Sequence, residues 1–438
     1  MLALIRRHAD FVGNVSTLAA GRGVAVALSF LLTPVVARLF SPEHFGLAAL
    51  FAAIVKMAGT VATLRYDRAI PLPDNERAAA SLMTLSLRVA AGACALLLVV
   101  PGTLWALELE LPFMQALGPW LWLVPVGVML GALALIVEGW LVRTSAYRPL
   151  AHADIQQSLW TSVSRLGAGF ALGSSAWALI GGYLLGKLAR LATLVHGAPA
   201  WPRPTPADRR VRLRAAAIEY REFPFFNAPT TLVRSFSQSI PVLLLGVWFE
   251  PAVVGLFAMG NRLVRVPLEL LATSVRRVFL QRAAALHNAG TTLRGAFSKL
   301  TAALALLGAL PMAALSLGGD ALFVLLLGER WREAGAFAAL LAPWLFMIVV
   351  SIPAVATLIV LRKQALWLRI ELVVTALRLA AFVAAARLAD SPGAAVLAFA
   401  WASMLANLAV VGVVHLRLEH WESESVAKHP AGDGARRD

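Results

Sequence analysis

The sequence predicts an all-α integral membrane protein of about twelve transmembrane helices, and three observations predict it. Of the 438 residues 59% are hydrophobic and 14% charged, with a mean hydropathy of +0.75; a soluble domain carries nearer a quarter charged residues. Apolar stretches of about twenty residues recur from Val12 to Leu416, each able to cross a hydrocarbon core of about 30 Å as a helix. Within lipid the backbone must satisfy its own polar groups, and these stretches are too long and too evenly apolar to be the alternating strands of a barrel.

Taken in order, the spans are 12–37, 44–64, 79–105, 118–142, 153–173, 175–196, 223–248, 252–273, 294–317, 335–360, 364–387 and 392–416. The first is too long, and lacks an A-x-A-like site, to be a removed signal peptide. Basic residues alternate between the connections. Arg6 and Arg7 precede the first span; Arg65, Arg68 and Arg77 follow the second; Arg143 and Arg148 follow the fourth. Arg203, Arg209, Arg210, Arg212 and Arg214 follow the sixth, Arg276, Arg277 and Arg282 the eighth, and Arg362 and Lys363 the tenth. The intervening connection Leu107–Leu117 has Glu108 and Glu110 but no base, and Gly173–Ser175 has no charge; Arg330 and Arg332 are the exception, set among Asp320, Glu329 and Glu333. The positive-inside rule therefore places both termini in the cytoplasm. It also accounts for the formal charge of +15 without a nucleic-acid partner. The single cysteine, Cys94, excludes an intramolecular disulfide and any Cys-cluster metal site.

The stretch 197–217 holds Pro199, Pro202, Pro204 and Pro206 ahead of its basic run and reads as a cytoplasmic linker. It separates two six-helix bundles, 1–196 and 218–416; residues 417–438 form a polar cytoplasmic tail, expected to be disordered. A short repeat supports the division. Phe40-Ser41-Pro42-Glu43-His44-Phe45-Gly46-Leu47 returns as Phe249-Glu250-Pro251-Ala252-Val253-Val254-Gly255-Leu256, at the turn between the first two spans of each half. Both copies lie on one side of the membrane, which makes this a parallel repeat.

Charge inside a bilayer is costly and normally faces a cavity or a partner. Arg22 stands roughly 15 Å into the first span, Lys56 centrally in the second, Arg234 in the seventh and Arg262 in the eighth. None has an acid one turn away on its own helix. All four lie in the first two spans of a half, so they are the candidate substrate-binding set. Their sign favours an anion, phosphate above all, which Arg grips through charge-assisted, bidentate contacts. A secondary set, Arg88, Arg165, Arg265, Glu269 and Arg378, has plainer readings: Arg265 and Glu269 are spaced to pair along one helix, Arg88 and Arg165 can snorkel, and Glu371 and Arg378 share a face. Glu138 is the remaining intramembrane acid. Pro224, Pro229 and Pro241 in the seventh span predict a bend. The histidines, including His8, His44, His152, His196 and His287, form no metal-binding or catalytic constellation.

The chain resembles the bacterial oligosaccharide flippases, the Wzx-like polysaccharide-biosynthesis proteins of the MOP superfamily. The resemblance rests on Gly13-Asn14-Val15-Ser16-Thr17-Leu18, on the stretch Pro34 to Gly46, and on Thr63-Leu64-Arg65-Tyr66-Asp67-Arg68-Ala69-Ile70. It continues through Ser237 to Gly246, Asn261-Arg262 with Pro267, Gly328 to Gly335, and Leu341-Ala342-Pro343-Trp344-Leu345-Phe346. It implies two six-helix bundles facing each other as a V and opening alternately to each side of a bacterial inner membrane. The implied cargo is an undecaprenyl-diphosphate-type lipid-linked oligosaccharide, an O-antigen or exopolysaccharide unit, moved from the cytoplasmic to the periplasmic leaflet. Implied partners are membrane lipids, a coupling ion (H+ or Na+) and other polysaccharide-assembly proteins; no cofactor is implied. Arg22, Lys56 and Arg262 match the family's basic lumen positions, whereas Arg234 is chosen on depth alone. Two alternatives stand beside this: a MATE-like small-molecule exporter, which would need an acidic site absent from the first two spans, and a membrane polymerase or ligase. The latter would need a large external loop, and the longest here is 318–334. A non-enzymatic transporter is the expectation.

Overall fold

The computed structural model describes residues 2–108, 115, 117–171, 173–200, 209–361 and 363–428. The described residues are predominantly helical, without strands. The helices are α1 Leu2–Leu39, α2 Pro42–Val61, α3 Glu76–Ala106, α4 Val124–Arg143, α5 Tyr147–Ala171, α6 Ala176–His196, α7 Arg209–Glu219, α8 Ala228–Trp248, α9 Pro251–Asn288, α10 Arg294–Leu327, α11 Arg332–Val350, α12 Ile352–Val360, α13 Gln364–Ala389 and α14 Pro392–Lys428. Among the described residues nine helical stretches are long and apolar enough to cross a membrane. The predicted fifth, seventh and eighth spans are helical too but fall outside that set. The reason is composition: α5 holds Asp154 and Arg165, α8 Arg234 and a run of serines, and α9 Arg262, Arg265 and Glu269.

Helix starts and breaks follow local chemistry. Ser41 caps α2 by accepting from His44 N, with Pro42 in the first turn, where its missing N–H costs nothing. Asn75 caps α3 through Ala78 N. The bend expected from the three prolines of the seventh span is localised: Pro224 lies in a π turn, Phe223–Asn227, while α8 runs unbroken through Pro241. Gly318 leaves helical geometry inside α10, one residue past the predicted end of that span, and the helix kinks there. Ser351 separates α11 from α12 two residues ahead of Pro353.

The chain divides into two compact units, Met1–Ala258 and Met259–Asp438. In the first, α5 packs on α1 and α6, and α2 on α4, α6 and α8. Small residues allow the close approaches: a Cβ on Gly21 would stand 2.6 Å from Ala151 Cβ, and one on Gly246 2.9 Å from Leu50 Cδ1. Leu50, Phe51, Val55, Trp120 and Ile180 form the core there. In the second unit α11 packs on α10 and α14, and α13 on α14. The polar C-terminal residues are not all a free tail. Helix α14 continues to Lys428, and Leu418 and Trp421 are buried against Phe279, Leu293 and Phe297. The helical α7 likewise occupies part of the expected linker. Pro202, Arg203, Pro204 and Pro206, together with Glu110, Arg362 and residues 429–438, lie outside the described residues.

Candidate functional site

The candidate cations stand on helices whose register can be compared directly. Lys56 is fourteen residues after Pro42 at the start of α2, and Arg234 fourteen before Trp248 at the end of α8. At 1.5 Å per residue each is about 21 Å from the same end of this packed antiparallel pair. Both side chains are exposed, as is that of Arg22 on α1. Among the described residues neither Arg22 nor Arg234 forms an ion pair. Beside Arg234, Ser235, Ser237 and Ser239 are buried, so α8 carries hydroxyls next to its one cation. Arg262 is half-buried on α9, eleven residues after Pro251.

The secondary set separates into paired and unpaired groups. Arg265 Nε donates to Glu269 Oε1 at 2.7 Å, and its guanidinium lies 5.8 Å from the Trp344 ring. The repeat makes this informative. Offset by the 209 residues between Gly46 and Gly255, Arg265 is the counterpart of Lys56, and Glu269 is the counterpart of Thr60. The second copy carries an acid one turn after its cation, and the two pair; the first carries a hydroxyl at that position. Arg378 is buried, donates to Ser403 Oγ at 2.9 Å, and meets Glu371 at 3.7 Å. Arg165 donates to the Leu179 carbonyl at 3.2 Å, and Arg88 is exposed on α3. Arg332, one of the topology exceptions, is held by Glu329 at 2.7 and 3.0 Å, with Asp320 at 3.9 Å.

Two polar clusters escaped the sequence reading. Arg190 on α6 donates to Glu138 on α4 at 2.7 Å, to Asp154 on α5, and to Gln157 at 3.2 Å. Lys187, one turn away, stands over the Tyr183 ring at 5.3 Å. These four charges sum to zero and bind α4, α5 and α6 together. The second cluster is the turn after α2. Leu64 and Arg65 take positive φ, and Thr63 donates to a buried Asp67. Arg65 is buried beside Asp67, 4.0 Å away, and donates to the Thr60 carbonyl at 3.4 Å. Burial lowers the Arg65 pKa from its ordinary value and Asp67 opposes the shift. Arg143 donates to the carbonyls of Pro71, Pro73 and Asp74, and Tyr66 OH donates to Ala217 O at 3.3 Å. The Thr63–Ile70 segment is thus a buried turn that anchors the end of α7 to the first unit.

Comparison with known proteins then places the chain. The profile of the polysaccharide biosynthesis protein family matches residues 35–336, well over half of the sequence. The chain belongs to the polysaccharide biosynthesis protein family. This polysaccharide biosynthesis protein is 22% identical over 333 residues to the succinoglycan biosynthesis transport protein ExoT of Rhizobium meliloti (strain 1021), an alignment covering 72% of the chain and 62% of that relative. Its fold matches that of the lipid II flippase MurJ in an inward closed conformation, with a TM-score of 0.70 at 11% identity over 95% of this chain and 93% of the other. It also matches an inward-facing multidrug resistance MATE family transporter of the MOP superfamily, with a TM-score of 0.63 at 13% identity over 93% and 96%. The polysaccharide biosynthesis protein therefore has the fold of MOP-superfamily membrane transporters.

Proposed function

We propose that this protein is a flippase that carries a polyprenyl-diphosphate-linked oligosaccharide from the cytoplasmic to the periplasmic leaflet of a bacterial inner membrane. The observation carrying this reading is the sign and level of the exposed charge: Lys56 and Arg234 stand about 21 Å from one end of the α2–α8 pair, and Arg22 is exposed on α1. A mid-membrane cationic surface selects an anion, since the cost of holding charge there falls when it is paired. The diphosphate is the anion, and the prenyl tail remains in lipid. ExoT's name supports a polysaccharide precursor, and MurJ's a lipid-linked one.

In this reading the two six-helix halves, 1–196 and 218–416, open alternately to each side, both termini are cytoplasmic, and Arg262 of α9 joins Arg22, Lys56 and Arg234 on the cargo. Arg165 on the Leu179 carbonyl, Arg265 on Glu269 and Arg378 on Ser403 position helices. An exporter of cationic drugs shares the fold, but the charge has the opposite sign from what such cargo needs.

The test is neutralisation in reconstituted vesicles: Lys56→Gln with Arg234→Gln should slow movement of a polyprenyl-diphosphate glycan by roughly a hundredfold, at one to a few kcal/mol per charge-assisted contact. Movement at the parent rate by a folded double variant would refute the assignment.

A further inference from the structure

The repeated Phe-x-Pro-x-x-x-Gly-Leu segments touch each other. A Cβ on Gly46 would collide with the Pro251 carbonyl and stand 3.0 Å from Gly255 N; a Cβ on Gly255 would collide with the Pro42 carbonyl and stand 2.9 Å from Gly46 N. The contact is reciprocal: each glycine meets the proline and glycine of the other copy, as across a local two-fold axis. The hydrogen on each glycine Cα, where a side chain would begin, points at a backbone oxygen. Any side chain would therefore strike backbone, which no rotamer change can relieve.

We infer that Gly46 and Gly255 are the closure point of the end of the transporter opposite its N-terminus, and that they position α2 and α9 for each opening and closing step. The inference rests on the transporter reading above. Three features fit a contact that forms and parts repeatedly. It involves backbone and small residues alone, so it resembles the close, weak helix crossings of membrane proteins rather than an ion-paired clasp. Proline opens both helices, so their first turns begin at fixed backbone angles without a missing bond. Both segments are two-residue turns, Phe40-Ser41 between α1 and α2 and Phe249-Glu250 between α8 and α9, so motion of the flanking helices is delivered to this point. One turn deeper, Leu50 is buried against Gly246, which makes a cysteine there the reporter for opening.

The experiment uses the full chain with Cys94→Ala, Leu50→Cys as reporter, and a membrane-impermeant maleimide added from the side opposite the N-terminus. Gly46→Val or Gly255→Val should raise the labelling rate by about tenfold or more, the shift produced when a closed state loses its advantage. Gly59→Val on the same helix, where a Cβ meets nothing within 4 Å, should leave it unchanged. If the valine variants fail to reach the membrane, Gly46→Ala and Gly255→Ala carry the same test, because even a methyl collides. Labelling at the parent rate in folded glycine variants, or an equal rise in Gly59→Val, overturns the closure point. Labelling is read without cargo, so unaltered labelling with normal glycan movement removes this inference alone, whereas the expected labelling without glycan movement removes the flippase reading alone.

Discussion

Arg190→Met tests the largest polar cluster of the first unit. The substitution keeps most of the apolar volume while removing the donors to Glu138, Asp154 and Gln157. Two carboxylates on different helices are then left facing one another. Breaking a fully buried ion pair costs about 3–5 kcal/mol. Here the three charged side chains are 24%, 25% and 18% exposed, so solvent screens part of that loss and about 2 kcal/mol is the reasoned value. For a unit of this size that corresponds to a drop of roughly 4–8 °C in unfolding temperature. Thermal unfolding of the purified protein in detergent, followed by loss of the monodisperse peak, measures it directly. Removing all three charges together, as Glu138→Gln, Asp154→Asn and Arg190→Met, should recover most of the loss, because uncharged partners no longer need the guanidinium. An unfolding temperature equal to the parent's for Arg190→Met, or a triple variant no better than the single one, would refute the clasp.

Other outcomes follow from the same geometry. Arg143→Ala should release the carbonyls of Pro71, Pro73 and Asp74 and cost about 1–2 kcal/mol, seen as faster proteolysis in the turn after α2. Tyr66→Phe, which removes only the bond to Ala217, should cost about 1 kcal/mol and leave the unfolding of the second unit unaltered. Arg378→Met should destabilise, by stranding Glu371 and Ser403, while Arg378→Lys retains part of that stability; an unfolding temperature unchanged in the methionine variant would return Arg378 to the cargo-binding set.

The membrane class was legible because burial in lipid writes itself into composition, and the break in the seventh span, at Pro224, because proline acts locally; the kink at Gly318 was not foreseen. The fifth, seventh and eighth spans are less apolar than the others, and in the seventh and eighth the cause includes the candidate cations Arg234 and Arg262. What the sequence hid is contact across helices. Glu138, Asp154 and Arg190 lie on three separate helices and share no local spacing. Arg265 with Glu269 was visible because four residues make one turn. The glycine–proline repeat was visible as a pattern, but nothing in one dimension says that its two copies meet. The polar end of α14 read as a tail because Leu418 and Trp421, the buried positions there among the described side chains, are too few to outweigh the charges around them.

The central claim is that a cationic mid-membrane surface moves a diphosphate-linked glycan. The most direct measurement reconstitutes the parent chain in vesicles bearing a fluorescent polyprenyl-diphosphate oligosaccharide and follows its transfer between leaflets by quenching from outside. The account predicts protein-dependent transfer, lost when Arg22, Lys56, Arg234 and Arg262 are neutralised together. Transfer no faster than in protein-free vesicles, or equally fast with all four neutralised, would contradict it.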